Sequence, residues 1–195
     1  MNYGPRFDAA LRRFDEENSR DPNLATVDGA PHPHELLYAK WVTDWVQRLS
    51  PSPSEALLLA ARCQHICRWT IPRKSYPMTR AGYLKWRTDL KQFHAQKSAE
   101  ILRKVGYGDD IVSRVEELNL KKNLAHDPEC QVLEDALCLV TLQHQLTDLI
   151  DKTEPEKMVS ILQKTWKKMS PAAREQALAL QFSEREKEVL QRALA

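Results

Sequence analysis

The chain has 195 residues, 42% of them hydrophobic and 29% charged, and a formal net charge of +2. These values exclude a disordered chain and a broadly cationic coat, and this length buries a core without disulfide or metal staples. The longest apolar run, Ala56 to Ala61, falls far short of the roughly 20 residues that a membrane span requires.

The opening Met1-Asn2-Tyr3-Gly4 has no apolar leader core, and Cys63, Cys67, Cys130 and Cys138 sit inside helix-like apolar patterns. The expectation is a cytoplasmic protein with reduced thiols and no membrane partner. The charge is unevenly placed. Residues 62–91 hold eight basic side chains and one acid, Asp89, so this segment is +7 and the other 165 residues sum to −5. A basic patch on a slightly acidic body points to a local anionic ligand.

All five glycines lie at or before Gly108, which makes the second half hard to read as sheet. Helices are expected at about 6–18, 34–49, 53–69, 80–105, 110–119, 128–151, 154–168, 171–180 and 184–194, with strands essentially absent. Ser52-Pro53-Ser54-Glu55 reads as a capping box with proline at the first helical position, and Thr153 with Glu156 and Ser183 with Glu186 repeat the box. Asp127-Pro128 and Ser170-Pro171 are cap-plus-proline starts, Thr79 is a candidate cap, and Gly106 is a C-cap. The third helix is apolar on every side from Ala56 to Ala61, which makes it the central one. The fold class is therefore all-α: a compact helical bundle forming one domain over residues 1–195.

Two constellations carry candidate chemistry. The central helix ends in Arg62-Cys63-Gln64-His65-Ile66-Cys67-Arg68. A continuous helix would put Arg62, His65 and Arg68 near one face, and two cations beside an imidazole suit an anion between them. A packed core histidine is the simpler reading of His65 taken alone. Glu134 and Asp135 lie in an apolar stretch of the sixth helix, where a buried carboxylate is either paired or metal-bound. His34-Glu35 opens the second helix.

The second constellation is the segment Arg68 to Thr79 and the helix after it. Arg73, Lys74, Arg80, Lys85 and Arg87 alternate there with Tyr76, Tyr83 and Trp86. Guanidinium groups bind phosphate in pairs, aromatic rings stack bases, and a capped helix start adds free amides. The simpler alternative is a solvated basic face over packed aromatics. The same holds for Lys164, Lys167 and Lys168 around Trp166. His94 is read as a packed histidine, and Cys63 and Cys67, one turn apart, as buried small residues rather than zinc ligands.

The order His34 or Glu35, then Gln64-His65, then Asp135 resembles the HD phosphohydrolases, whose pattern is a His, a His-Asp pair ending a buried helix, and a later Asp. That resemblance implies an HD-like fold and a divalent metal (Mn, Fe or Zn) held by His34, Glu35, His65 and Asp135. It also implies catalytic roles for His65, Asp135 and Glu134. Gln64 stands where the metal-binding His would be and His65 where the Asp would be, and a neutral amide is a poor metal ligand. Substrate contacts are expected from Arg62, Gln64, Arg68, Arg73, Arg80, Arg87 and Tyr76.

Over nearly its whole length the chain resembles the family known as domain of unknown function 4202. The segments Glu35-Leu36-Leu37-Tyr38-Ala39, Ala61-Arg62-Cys63-Gln64-His65, Ile71 to Tyr83, Leu133-Glu134-Asp135 and Lys164 to Ser170 carry this second resemblance. Gln64-His65-Ile66 and Lys168-Met169-Ser170 imitate short class I tRNA synthetase signatures, but no parallel βαβ nucleotide fold can be read here. Three functional readings remain. The first is a metal-dependent phosphohydrolase acting on a nucleotide or other phosphorylated small molecule. The second is a non-catalytic nucleotide- or RNA-binding module, and the third is a partner-binding helical domain.

Overall fold

The computed structural model describes residues 3–194. Met1 and Asn2, which entered the leader reading, lie outside the described residues, as does Ala195. Helix accounts for 73% of the structure, in ten α-helices. In chain order they are α1 (Pro5–Asn18), α2 (His34–Leu49), α3 (Glu55–Cys63), α4 (Arg80–Val105), α5 (Asp109–Leu120), α6 (Pro128–Val140), α7 (Leu146–Asp151), α8 (Pro155–Lys168), α9 (Pro171–Leu178) and α10 (Glu184–Leu194).

The expected absence of strands needs one correction. Leu24–Val27 (β1) and Ala30–Pro33 (β2) form an antiparallel hairpin with Val27 opposite Ala30. Asp28 and Gly29 both take positive φ, 51° and 77°, the two-residue turn whose twist matches the flanking strands and which Asp-Gly favours. The hairpin leads straight into α2. Asp21 then caps that helix from outside, its Oδ2 accepting from the Glu35 amide at 2.9 Å.

Helix α3 is central: it packs against α1, α2, α5 and α6, and every residue from Ala56 to Ala61 is buried. Around it lie Phe14, Leu102, Leu118, Leu133 and Leu139, all with essentially no exposed surface. Its boundaries differ from expectation. Ser54, not Ser52, is the N-cap, accepting from the Leu57 amide at 3.1 Å. The helix stops at Cys63 instead of running to Trp69, because Cys67 adopts a left-handed φ of 53°. A non-glycine residue there costs roughly 1–2 kcal/mol. The cost is offset by Asn18 Oδ1, which accepts from the Cys67 amide at 3.1 Å.

Among the other starts, Asp127, Ser170, Thr79 and Ser183 cap as read, and Gly106 closes α4 with φ 95°. Thr153 does not cap α8; Glu154 holds that position without a side-chain bond. The long sixth helix is interrupted at Thr141–Gln145 by a π turn, a wider coil that recurs at functional sites. No helix among the described residues is long and apolar enough to cross a membrane, and the four cysteines are buried free thiols.

Candidate anion-binding cavity

The turn that ends α3 determines where the polar residues point. Had the helix continued, Arg62 would share a face with His65 and Arg68. Arg62, still within α3, faces α1 and makes a bidentate pair with Asp15, at 2.7 and 2.8 Å. His65 and Arg68 swing toward α2. His65 stacks on Tyr38 with ring centroids 4.3 Å apart, and its Nδ1 lies 3.6 Å from Glu35 Oε2. Glu35 Oε1 faces His34 Nδ1 at 3.4 Å and Arg68 Nε at 3.8 Å.

Burial pulls the Glu35 carboxyl upward, but the imidazoles of His34 and His65 outweigh it and hold its pKa at about 2. His65 behaves oppositely: loss of solvent drives its pKa down to about 4 against the pull of Glu35. The pair is therefore a carboxylate beside a neutral imidazole at neutral pH. With Nδ1 turned to Glu35, Nε2 is the nitrogen available to a ligand.

His65 and Arg68 open onto a cavity of about 440 Å³ between α2, α4, α6 and α8. Five cationic side chains line it, Arg68, Arg87, Lys91, Lys121 and Lys168, against one carboxylate, Glu134. Glu134 is almost fully buried and is held by Lys121 and, at 3.4 Å, by Lys168. Burial opposes its ionisation, yet those two lysines keep its pKa below the usual carboxylate value. Lys91 is lowered by burial and by the neighbouring Lys121 and Arg87, which reports crowding of like charge. Lys121 itself sits at a left-handed φ of 56°, a backbone cost accepted at the cavity wall. The π turn contributes Thr141 and Gln145.

The structure separates the other expected site residues. Asp135 is not among the cavity-lining residues. Its Oδ1 accepts from Gln131 Nε2 and from the Ser170 amide, both at 2.9 Å, so it ties α6 to the corner before α9. Asp135 is thus turned to the α9 corner, and it is Glu134, one residue earlier, that lines the cavity with His65. Arg73 donates to the carbonyls of Tyr76, Pro77 and Thr79 and holds its own loop together. That loop presses on α4 so closely that a Cβ on Gly82 would lie 2.1 Å from Pro77 O, which explains glycine there. Tyr76 donates to Asp89 at 2.8 Å, and neither Tyr76 nor Arg80 lines the cavity. Arg73 lines a separate recess with Glu35, Arg68 and Trp86. Of the arginines, lysines and tyrosines in residues 68–91, only Arg68, Tyr83, Arg87 and Lys91 reach the main cavity.

For a metal ion, ligand atoms of Asp21, His34 and Glu35 lie within 4.8 Å of one another. His34 and Glu35 were expected in such a set; the cluster found among the described residues adds Asp21 and does not include His65 or Asp135. Sequence reasoning also missed Lys121, counted Lys91 only in the charge of the basic segment, and left Lys168 as either an extension of the basic face or the solvated side of its helix. Lysines spaced along three helices carry no local signal of convergence. His94, read as a packed histidine, is buried as expected but also lines the cavity.

A family model described as a domain of unknown function, DUF4202, matches residues 8–190. The chain belongs to that family. No curated protein and no solved structure matches it.

Proposed function

For this DUF4202 domain, we propose binding of a phosphorylated small molecule in the cation-lined cavity, with hydrolysis of its phosphate ester beside His65. The observation that carries the reading is the convergence of five cationic side chains and two neutral imidazoles, His65 and His94, on one cavity. A phosphoryl group satisfies such a set better than a carboxylate does, because guanidinium and ammonium groups can each take a separate oxygen. Holding the cations together without an anion costs stability through self-repulsion.

In the hydrolytic step, water attacks phosphorus while His65 Nε2 accepts its proton. The ester P–O bond then breaks and the imidazolium returns the proton to the leaving alcohol. Glu35 orients the ring and stabilises the charge that develops on it. Arg68 and Lys168 neutralise the phosphoryl oxygens.

The Asp21, His34 and Glu35 cluster favours a metal-dependent form of this reading. Two carboxylates and an imidazole suit Mn, Fe or Zn. Asp21 Oδ1 already accepts from the Asn23 amide and side chain, and Oδ2 from the Glu35 amide, so each oxygen enters such a set as a shared acceptor. A bound ion would lower the pKa of a water and polarise a phosphoryl oxygen.

The test is phosphate release from a panel of phosphate esters, with and without added Mn²⁺ or Zn²⁺, for the wild type and His65→Ala. Release that His65→Ala abolishes is the expected result. Saturable binding of esters with no release would leave the binding-module reading in its place.

A further inference from the structure

The floor of the cavity differs in chemistry from its walls. His94 is 3% exposed and its Nδ1 lies 2.8 Å from the carbonyl oxygen of Ile66. A carbonyl only accepts, so Nδ1 carries the ring proton and Nε2 presents a bare lone pair. That Nε2 is buried and has no hydrogen-bond partner. Gln64, in the same cavity lining, is 6% exposed and its Oε1 is likewise buried without a donor. Buried acceptors are almost always paired, so two orphans in one cavity mark a place that something else fills.

Several of the wall groups are already engaged elsewhere. Lys121 and Lys168 are engaged by Glu134, and Arg68 lies over the Trp86 ring at 4.9 Å and beside Glu35. His65 cannot serve, because its Nδ1 faces Glu35 and its ring is stacked on Tyr38. Burial and the neighbouring His65 drive the pKa of His94 down to about 3, so it remains an acceptor at neutral pH. The cavity is thus divided, with cations on the walls and acceptors on the floor.

We propose that His94 Nε2 and Gln64 Oε1 read hydroxyl groups of the ligand, so that the phosphorylated molecule is a polyol phosphate, such as a sugar or ribose phosphate. This rests on the anion-binding reading of the same cavity and narrows it. An ester with an apolar body would leave both acceptors unpaired, and a site built to receive donors discriminates against an analogue lacking them. Tyr38 and Tyr83 give the ring of a sugar its apolar contacts.

The experiment is calorimetric titration of the full chain with inorganic phosphate, ribose 5-phosphate and n-pentyl phosphate, the two esters being matched in carbon number. Ribose 5-phosphate should bind at least tenfold more tightly than n-pentyl phosphate, about 1.4 kcal/mol. In Gln64→Leu and in His94→Phe the ratio should fall below threefold, with the helical circular-dichroism signal retained. If His94→Phe does not fold, Gln64→Leu decides. Equal affinities for the two esters in the wild type, with inorganic phosphate still binding, would overturn the polyol assignment and leave the anion reading standing. An unchanged ratio in Gln64→Leu would overturn the assigned floor. No binding of inorganic phosphate or either ester would overturn the anion reading and the assignment with it.

Discussion

Glu134→Gln should weaken the fold and strengthen anion binding at once. The carboxylate is 6% exposed and its nearer partner, Lys121, is 17% exposed, while Lys168 keeps 57% of its surface in solvent. Breaking a buried ion pair by removing one partner costs roughly 3–5 kcal/mol, and the residual hydration of Lys121 places this case near about 3 kcal/mol. For a domain of this size that corresponds to a fall in melting temperature of about 6–12 °C. The same substitution removes the one negative charge lining the cavity. At an effective dielectric of about 20 and a separation of about 8 Å, that charge opposes a bound anion by about 2 kcal/mol before salt screening. Affinity for inorganic phosphate should therefore rise on the order of tenfold at low salt, and the rise should shrink as salt increases. Differential scanning calorimetry reads the first effect and titration calorimetry the second. A variant that loses stability yet binds phosphate no more tightly than the wild type would refute the cavity as the anion site.

Leu58→Ala, at a position 3% exposed in the central helix, should cost roughly 2–5 kcal/mol in urea denaturation; a loss under about half a kcal/mol would show α3 to be peripheral. Arg73→Ala should loosen the loop it holds without abolishing phosphate binding, whereas Arg87→Ala should weaken binding with little change in stability; titration and thermal melts of both variants decide it. Acid should destabilise the protein through His94, whose folded pKa of about 3 lies below the unfolded value of about 6.5. The buried neutral ring gives its full contribution well above pH 6.5 and loses it as pH falls toward 3, so about 2 kcal/mol should disappear between pH 6.5 and 4.5. His94→Phe should make that limb of a stability–pH curve shallower, with His65, lowered to about 4, carrying the remainder, and an unchanged curve would show that His94 carries none of it.

Much of the helical frame was legible because its signals are local. Asp127-Pro128, Ser170-Pro171 and Ser183 with Glu186 each fix a helix start within four residues, and the apolar run from Ala56 to Ala61 identifies the central helix without tertiary information. The hairpin was legible too, in Val27-Asp28-Gly29-Ala30, but four-residue strands carry little periodicity and the turn was passed over. The end of α3 was not. Its termination depends on Asn18, 49 residues away, satisfying the Cys67 amide, and on His94 meeting the Ile66 carbonyl from α4.

The break explains most of the redistribution in the candidate site. It carries His65 to Glu35 and away from Arg62, which stays on α3 paired with Asp15, and thereby dissolves the face that a continuous helix would have formed. The choice between Glu134 and Asp135 rested on helix rotation, which adjacent carboxylates in an apolar run do not reveal. The net charge of the basic segment correctly located cations near the cavity, but charge counting cannot separate Arg73, spent on its own carbonyls, from Arg87, which faces the open space.

The most direct measurement of the central claim is a crystal structure of the protein with tungstate, a tetrahedral dianion that stands in for phosphate and is located by its anomalous signal. The account predicts one strong peak inside the cavity, among Arg68, Arg87, Lys121 and Lys168 and within reach of His65. A peak confined to the exposed Arg73 to Arg80 loop, or none at an excess of tungstate, would contradict it.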